Sequence, residues 1–501
     1  MRNPILLLIL RLMALLILLD SKVFALNSDV GQILMVGFNE ASVNPELIAH
    51  LKKIKPGAII LFRRNIKNPN QLHRLIKTLE SELNPVLSSP LIFALDQEGG
   101  SVFRIPTNPK VPSAAALGKN GNFKIVEHYG AAIGKMLRRN GITMNLAPVL
   151  DLEVEDNFIG SRSFGTDPLK VAQLGYLFSK GLASAGVIPT GKHFPGLGSV
   201  IIDPHEKTPT SDLEWNQDWN RELLPFRAFS HLSPSALMLS HVIYPRLDNQ
   251  KLPASVSPFI IRRVLRETLK YEGLIITDDL LMKGLTTKYS PSQAALASLK
   301  AGADFVMLSW SKEDQSLVYK NLNSSLLNGE LDKKDLENKS NRIAKIKSLI
   351  GIGRSDFTQP MGWGSPEIRD LNKELLSINL SMDKKNYRKI SDQNNIYCIN
   401  LGPVWLDELK LKFPQKKITS LNRYEDFRSL EENKKENSIV IYGISKKSSL
   451  ELLNKINNSE KQIMILVITN DFSILKPSDY YTVFSPLWHF DGVASEVMKY
   501  L

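Results

Sequence analysis

The chain has very little cysteine: Cys398 is the only one among its 501 residues. It therefore cannot form an intrachain disulfide, and it cannot build a cysteine-based metal site. We predict a protein that is stabilised by its hydrophobic core rather than by covalent cross-links.

Signals for nucleic acid and nucleotides are also lacking. No basic run is interleaved with aromatic residues, so we expect no nucleic-acid partner. The glycines of Gly196-Leu197-Gly198 are not followed directly by a helical pattern, so a phosphate-binding loop is not indicated. The net charge of +12 is consistent with a lysine-rich solvated surface, although an affinity for anionic polymers stays open. A content of 43% hydrophobic and 23% charged residues is typical of a globular protein.

The N-terminus has no apolar run long enough for a membrane span, which needs about 20 residues. Its apolar stretch, Ile5–Leu19, is interrupted by Arg11. A basic start, an apolar centre and the small-residue site Val23-Phe24-Ala25 are together typical of a secretory signal peptide over residues 1–25. We predict export to the periplasm, the cell surface or the medium, with no stable membrane insertion after cleavage. An uncleaved anchor is the alternative.

The next part of the chain alternates short apolar runs with helical patterns. In Asp167–Ala185, apolar residues recur on one helical face, and Pro258–Lys270 shows the same periodicity with its arginines outward. Strands that alternate with helices indicate parallel βαβ units, and eight of them predict a (β/α)8 TIM-type barrel, an α/β fold, over residues 27–355. The predicted strands are Ile33–Phe38, Gly57–Phe62, Leu91–Asp96, Thr143–Asp151, Pro189–Phe194, Ala236–Tyr244, Gly273–Asp278 and Ala303–Ser309.

The C-terminal part changes character. Residues 356–380 are predicted to form a linker and a connecting helix, because Pro and Gly accumulate before a helical pattern over Glu367–Leu380. Residues 381–501 are predicted to form a smaller α/β sandwich-like domain. Its predicted strands are Ile396–Leu401, Ser438–Tyr442, Gln462–Ile468 and Tyr481–Ser485.

Polar residues lie at the ends of the predicted barrel strands. Asp96 ends the third strand, Lys192 and His193 the fifth, His241 the sixth and Asp278 the seventh. Active sites of such barrels lie at the carboxyl ends of the strands, so these side chains are candidates for catalysis or binding.

Asp278 is the candidate nucleophile. It follows an apolar strand directly, so its carboxylate would face the barrel mouth and could attack an electrophilic sugar carbon. The alternative is a helix N-cap, for which Asp279 is the better candidate.

The loop Gly191–Pro209 supplies a second candidate pair, Asp203 and His205. Two residues apart in an extended loop, their side chains can face the same way. A carboxylate bonded to one imidazole nitrogen fixes the tautomer and raises the basicity of the other nitrogen. Such a pair can protonate a leaving oxygen and then deprotonate water, although it can also be a surface ion pair.

Five further residues are candidates for binding a polyhydroxylated ligand. A carboxylate accepts hydrogen bonds from sugar hydroxyls, and basic side chains donate them. The alternative is an ion-pair network that only stabilises the barrel rim. These residues are Asp96, Arg104, Arg162, Lys192 and His193.

Seven motifs in this order resemble those of glycoside hydrolase family 3, in particular its β-N-acetylglucosaminidase (NagZ-type) branch. The resemblance covers about residues 28–350. The motifs are Leu95–Arg104 (LDQEGGSVFR), Asn145–Asp151 (NLAPVLD), Ile159–Gly165 (IGSRSFG), Lys192–Gly198 (KHFPGLG), Asp203–His205 (DPH), Ser240–Pro245 (SHVIYP) and Thr277–Leu280 (TDDL).

The resemblance implies a retaining exo-β-N-acetylglucosaminidase that needs no cofactor and no metal. It implies that Asp278 forms a glycosyl-enzyme, and that His205, paired with Asp203, is the acid/base. A substrate from peptidoglycan fragments is one expectation for such an enzyme. The positions that match the sugar-binding residues of the family are Asp96, Arg162, Lys192 and His193.

Two positions depart from the branch pattern, and other functions stay open. Leu197 replaces a residue that is usually polar, and Pro204 replaces one that is commonly Ser or Thr. These changes bear on sugar contacts and on loop stiffness.

The alternatives are a β-N-acetylglucosaminide phosphorylase, another β-glycosidase of the family and a non-catalytic carbohydrate-binding relative. A metal-dependent hydrolase using His193, His241 and Asp278 is a further alternative.

Overall fold

The computed structural model describes most of the barrel region and the strands of the C-terminal region. The described residues are 29–119, 123–154, 158–197, 200, 208–352, 362–372, 374, 395–399, 415, 417–421, 438–444, 464–469 and 481–484. The predicted signal peptide, residues 1–25, lies outside them, and so do Asp203 and His205. Within the described residues, no helix is both long and apolar enough to cross a membrane.

Eight parallel strands close into a barrel in which each strand pairs with the next and β8 pairs with β1. The predicted barrel is therefore confirmed. The fourth strand is only two residues long; Leu146 and Ala147 follow it, and then Pro148, whose nitrogen cannot donate to a ladder. The strands are β1 (Leu34–Val36), β2 (Ala58–Ile60), β3 (Ile92–Leu95), β4 (Met144–Asn145), β5 (Ile188–Phe194), β6 (Ala236–Leu239), β7 (Leu274–Asp279) and β8 (Phe305–Leu308).

Helices surround this barrel and fill the connections between its strands. They are α1 (Pro45–Ile54), α2 (Pro69–Leu83), α3 (Ala114–Lys119), α4 (Phe123–Arg139), α5 (Pro168–Ser184), α6 (Trp215–Asp218), α7 (Leu224–Phe229), α8 (Phe259–Thr268), α9 (Lys283–Thr286), α10 (Pro291–Ala301), α11 (Lys312–Leu327) and α12 (Lys333–Leu349). Single 3₁₀ turns occur at Val30–Ile33, Arg63–Asn65, Asn84–Val86, Gly160–Arg162 and Ala254–Val256.

Several of the longer helices begin at a residue whose side chain caps them, and they bury one face. In α5, the side chain of Asp167 accepts a hydrogen bond from the Leu169 amide, and Pro168 occupies the first turn. Val171, Leu174, Phe178 and Leu182 then repeat on one face and are buried, as a helix that packs on the sheet requires. The predicted helix is confirmed to within one residue at each end.

Helix α8 differs from the prediction in two respects. It is a π-helix rather than an α-helix, as the bond from the Leu269 amide to the Val264 carbonyl shows. The prediction that its arginines all point outward is wrong for Arg266, whose Nη2 lies 2.7 Å from Oδ2 of Asp304. Asp304 is fully buried and needs a cation, which Arg266 and Arg342 supply together.

A short helical segment, residues 366–372, packs against the barrel region. Ile368 within it is fully buried. The hydroxyl of Tyr129 donates a 2.7 Å hydrogen bond to the side chain of Asn372, which in turn donates to the Lys110 carbonyl. This segment lies inside the region predicted as linker and connecting helix.

The C-terminal region contains a five-stranded, fully parallel sheet in the order β10-β9-β11-β12-β13. The parallel pairing agrees with the sheet predicted for this region, and, apart from residue 415, the connections between the strands lie outside the described residues. One strand, Lys417–Leu421, was not predicted, because three of its five residues are polar. The strands are β9 (Asn395–Ile399), β10 (Lys417–Leu421), β11 (Ser438–Ile444), β12 (Met464–Thr469) and β13 (Tyr481–Phe484).

Candidate active site

A cavity of about 300 Å³ opens at the carboxyl ends of the barrel strands. Its volume is at the small end of the range of about 300–1,000 Å³ that is usual for ligand sites. It contains six of the eight residues predicted for the site. Its lining residues are Ile60, Phe62, Asp96, Glu98, Val102, Arg104, Leu146, Phe158, Arg162, Lys192, His193, Leu197, Met238, Ser240, His241, Asp278, Asp279, Met282, Met307, Ser309 and Trp310.

One wall of the cavity is a buried cluster of two carboxylates and three cations. The Nζ of Lys192 lies 2.8 Å from Asp96 and 2.7 Å from Glu98. Arg104 donates to the second oxygen of Asp96 at 2.8 Å. Arg162 binds Glu98 through two hydrogen bonds of 2.8 Å. The predicted binding residues therefore do form an ion-pair network, and that network faces the cavity.

The charges in this cluster fix one another. Burial opposes the ionisation of Asp96, but Lys192 and Arg104 outweigh it and hold its pKa well below the usual value. Burial likewise opposes the charge on Glu98, yet Lys192 and Arg162 lower its pKa to about 2. Burial lowers the pKa of Lys192, but the carboxylates of Asp96 and Glu98 outweigh it and raise the pKa overall. All three side chains are thus ionised at neutral pH and can present fixed acceptors and donors to sugar hydroxyls.

His193 is held by a carboxylate behind it. Its Nδ1 lies 2.7 Å from Oδ2 of Asp151, and its backbone amide donates to the same oxygen at 3.1 Å. The other oxygen of Asp151 accepts from the Leu197 amide at 2.9 Å. A carboxylate at Nδ1 leaves Nε2 as the nitrogen of the ring that can meet a ligand. Asp151 therefore orients both His193 and the start of the loop that follows it.

Asp278 and Asp279 end strand β7 and have different surroundings. Asp278 is partly exposed in the cavity, and one of its oxygens accepts from the Asp279 amide at 2.8 Å. Asp279 is buried; it bonds the Ser309 hydroxyl and accepts from the Leu281 amide at 3.1 Å. Burial raises the pKa of Asp279 to about 6, although Ser309 and Leu281 oppose the rise. Asp279 thus takes the turn-capping role, and Asp278 keeps one oxygen without a protein bond in the described structure.

The described ends of the Gly191–Pro209 loop contact the active-site cavity and the segment that follows Asp278. At one end, Leu197 is buried in the cavity wall. At the other, the Thr208 hydroxyl donates to the Gly284 carbonyl at 2.5 Å, in the helix that follows β7. The predicted acid/base pair itself, Asp203 and His205, lies outside the described residues.

The structure adds three residues to the eight that were predicted for the site. Glu98 shares Lys192 with Asp96, and Asp151 holds His193. Trp310 lies at the cavity mouth and is 43% exposed. The position of Glu98 in the motif LDQEGGSVFR was a signal that could have identified it. The bond between Asp151 and His193 had no such local signal, because the two lie in different strand–loop units.

His241, which the metal hypothesis required, is occupied by other partners. Its Nδ1 lies 2.8 Å from the Ser255 hydroxyl, and its Nε2 lies 3.0 Å from the Asp279 carbonyl oxygen. In the described part of the chain, no group of three or more His, Cys, Asp or Glu side chains has the arrangement of a metal site.

Comparison with known proteins identifies a family and several relatives of this chain. The model of the glycosyl hydrolase family 3 N-terminal domain matches residues 25–346. A beta-hexosaminidase of Tolumonas auensis is 38% identical over 258 residues, which is 50% of this chain and 75% of that protein. A beta-hexosaminidase of Photobacterium profundum is 35% identical over 281 residues, which is 56% of this chain and 81% of that protein.

Solved structures support the fold. A family 3 β-N-acetylglucosaminidase from a Paenibacillus species superposes with a TM-score of 0.80 at 24% identity, covering 95% of this chain and 96% of that one. A β-N-acetylhexosaminidase from Beutenbergia cavernae superposes with a TM-score of 0.60 at 25% identity, covering 65% of this chain and 98% of that one. Since the family model matches well over half of the sequence, the chain belongs to glycoside hydrolase family 3.

Proposed function

We propose that this protein is a retaining exo-β-N-acetylglucosaminidase that hydrolyses terminal β-linked N-acetylglucosamine. The observation that carries the proposal is the position of Asp278, a partly exposed carboxylate in the same small cavity as the buried cluster of Asp96, Glu98 and Lys192. The relatives named beta-hexosaminidase support the choice of an N-acetylhexosaminide as substrate. A cavity of about 300 Å³ suits a single terminal sugar, and hence exo action.

The proposed first step forms a covalent glycosyl-enzyme. The carboxylate of Asp278 attacks the anomeric carbon while the protonated imidazole of His205 gives its proton to the leaving glycosidic oxygen. In the second step, neutral His205 takes a proton from water, the resulting hydroxide attacks the anomeric carbon and the bond to Asp278 breaks. Retaining glycosidases need one nucleophile and one group that is first an acid and then a base. Asp203 is proposed to orient His205.

The anchors of the loop support this role for His205. Thr208, three residues further along the chain, is bonded to Gly284 in the segment that follows Asp278. Three peptide units span at most about 11 Å, so this tether limits how far the backbone of His205 can lie from Thr208. A loop that closes over the sugar would also exclude bulk water during the reaction.

The working place and natural substrate of the enzyme are further proposals. The signal-peptide pattern of residues 1–25 supports export, and export supports turnover of peptidoglycan fragments outside the cytoplasm. Fractionation of cells that express the full chain, with N-terminal sequencing of the exported form, tests this. We expect a new N-terminus close after Ala25; a full-length chain confined to the cytoplasm contradicts export.

The activity is tested with 4-nitrophenyl β-N-acetylglucosaminide beside 4-nitrophenyl β-glucoside. We expect a clear preference for the N-acetylated substrate, and a loss of turnover of several orders of magnitude in Asp278→Ala. His205→Ala should lose most activity on poor leaving groups and less on this activated one, because protonation of the leaving oxygen matters less there. A preference for the glucoside removes the substrate assignment. Full turnover by both variants removes the mechanism.

Phosphorolysis remains the second candidate, because a neutral imidazole repels phosphate less than a carboxylate would. The same assay with and without phosphate separates the two reactions. If the enzyme hydrolyses its substrate, the rates with and without phosphate are equal and the product is free N-acetylglucosamine. If it is a phosphorylase, the reaction is faster with phosphate and the product is a sugar 1-phosphate.

A further inference from the structure

Trp310 is the one residue lining the active-site cavity among the large apolar side chains that the described structure leaves strongly exposed. It follows strand β8, and 43% of its surface is accessible. An indole that remains in water at the mouth of a binding cavity leaves apolar area to be covered by a ligand. The mechanism proposed above gives Trp310 no task.

The backbone that carries Trp310 is held firmly on both sides. On one side, Ser309 bonds the carboxylate of Asp279, and its carbonyl accepts from Nη2 of Arg64 at 2.8 Å. On the other side, Ser311 caps helix α11 by accepting from the Asp314 amide at 3.1 Å. Because Asp279 adjoins Asp278, the backbone of Trp310 is linked to the proposed nucleophile through Ser309 and Asp279.

Gly37 packs closely against the backbone of Ser309, next to Trp310. A Cβ at this position would lie 2.3 Å from the Ser309 carbonyl oxygen, so the chain at β1 approaches Ser309 as closely as only glycine permits. An exposed aromatic residue on a rigid backbone loses little conformational entropy when it binds, which favours a role in recognition.

Burial within the cavity distinguishes its deep part from its mouth. The Lys192 side chain is 4% exposed and that of Glu98 is 5% exposed, so the charged cluster lies in the deep part. Asp278 is partly exposed, and Trp310 is the most open of these residues. An exo-acting enzyme holds the terminal sugar in the closed part of its site, so the group to be released must extend past Asp278 towards the mouth.

We propose that Trp310 is a specificity-determining residue that stacks on the group leaving from the substrate, a second pyranose or an aromatic ring. This inference rests on the proposed function. The face of a β-linked pyranose presents C–H groups, which pack well on the electron-rich face of an indole. Trp310 therefore selects substrates whose leaving group is a flat ring, and it makes little contact with the terminal sugar.

The test compares a disaccharide with the terminal sugar alone. N,N′-diacetylchitobiose fills both positions, and free N-acetylglucosamine, used as a competitive inhibitor, fills only the deep one. In Trp310→Ala, we expect kcat/KM for the disaccharide to fall about tenfold or more, which corresponds to ~1.4 kcal/mol, while the inhibition constant of N-acetylglucosamine stays within twofold. Trp310→Phe should retain most of the wild-type value, because it keeps an aromatic face.

Leu327→Ala is the matched control, since Leu327 is 89% exposed at the far end of the helix that follows Trp310. It should change neither constant. An equal loss of disaccharide turnover and N-acetylglucosamine binding in Trp310→Ala overturns the inference, and so does no loss of either, provided the variant keeps the wild-type melting temperature. If the wild-type protein releases no N-acetylglucosamine from any substrate, the proposed function itself fails, which is a distinguishable result.

Discussion

The Nζ of Lys192 lies 2.8 Å from Oδ1 of Asp96, inside a barrel mouth where both side chains are almost fully buried. The same ammonium group lies 2.7 Å from Glu98, so one cation serves two carboxylates. Such an arrangement is costly to desolvate, and the attraction between the charges offsets this cost only where their hydrogen-bond geometry is good. Its position in the cavity supports the proposal that it orients the sugar.

Removal of this cation should damage both stability and binding. Lys192→Met leaves Asp96 and Glu98 close together with less positive charge, and we expect a loss of about 3–5 kcal/mol in the free energy of unfolding. The KM for the chromogenic substrate should rise by at least tenfold. Urea unfolding and steady-state kinetics measure the two effects. Lys180→Ala is the control, because that lysine pairs with Glu127 on the surface and is 53% exposed; an equal effect there would contradict the prediction.

Acid should unfold the protein through Glu98 and its neighbour Asp96. The pKa of Glu98 is lowered from 4.5 to about 2, so its contribution to stability is complete above pH 4.5 and is lost as the pH falls towards 2. We expect the urea midpoint of the wild type to drop over this window. Glu98→Gln should be less stable at pH 7 but should show a shallower drop. Parallel curves for the two proteins would show that Glu98 is not a source of the acid sensitivity.

Asp151 should act on the reaction through His193. Asp151→Ala removes the acceptor for Nδ1 of His193 and for the amides of His193 and Leu197. A displaced binding group can cost about 100-fold in rate, so we expect kcat/KM to fall by 10- to 100-fold. Asp212→Ala, a change at an exposed carboxylate, is the control. An unchanged kcat/KM in folded Asp151→Ala would show that the orientation of His193 does not matter.

Asp304 should matter for stability alone. Its carboxylate binds Arg266, Arg342 and the Ile275 amide in the wall of the barrel, and it does not line the active-site cavity. Asp304→Ala leaves two arginines without their partner, and we expect a loss of about 3–5 kcal/mol. The kcat/KM of the protein that remains folded should stay at the wild-type value. Glu272→Ala, at an ion-pair residue that is 83% exposed, should change neither quantity.

The sequence predicted the barrel well because buried parallel strands are short apolar runs, and because apolar residues recur along one face of each surrounding helix. Asp167-Pro168 marked the beginning of α5 correctly. The polar residues at strand ends could be located for the same reason, since each ends an apolar run. The resemblance of the motifs then assigned their roles.

Contacts between distant parts of the chain could not be predicted in this way. Nothing near Arg266 indicates that it turns inward to Asp304, because the requirement comes from the burial of the carboxylate. The π winding of α8 is likewise not visible in a pattern of apolar residues. Nor does the sequence around Trp310 reveal that Asp279 fixes its backbone from the neighbouring strand.

The most direct test of the account is covalent trapping of the glycosyl-enzyme. The protein is incubated with a slow, fluorinated β-N-acetylglucosaminyl inactivator, and the labelled peptide is identified by mass spectrometry. The account predicts one sugar per chain, attached to Asp278, and no label in Asp278→Asn. A label on another residue, or equal labelling of Asp278→Asn, would contradict it.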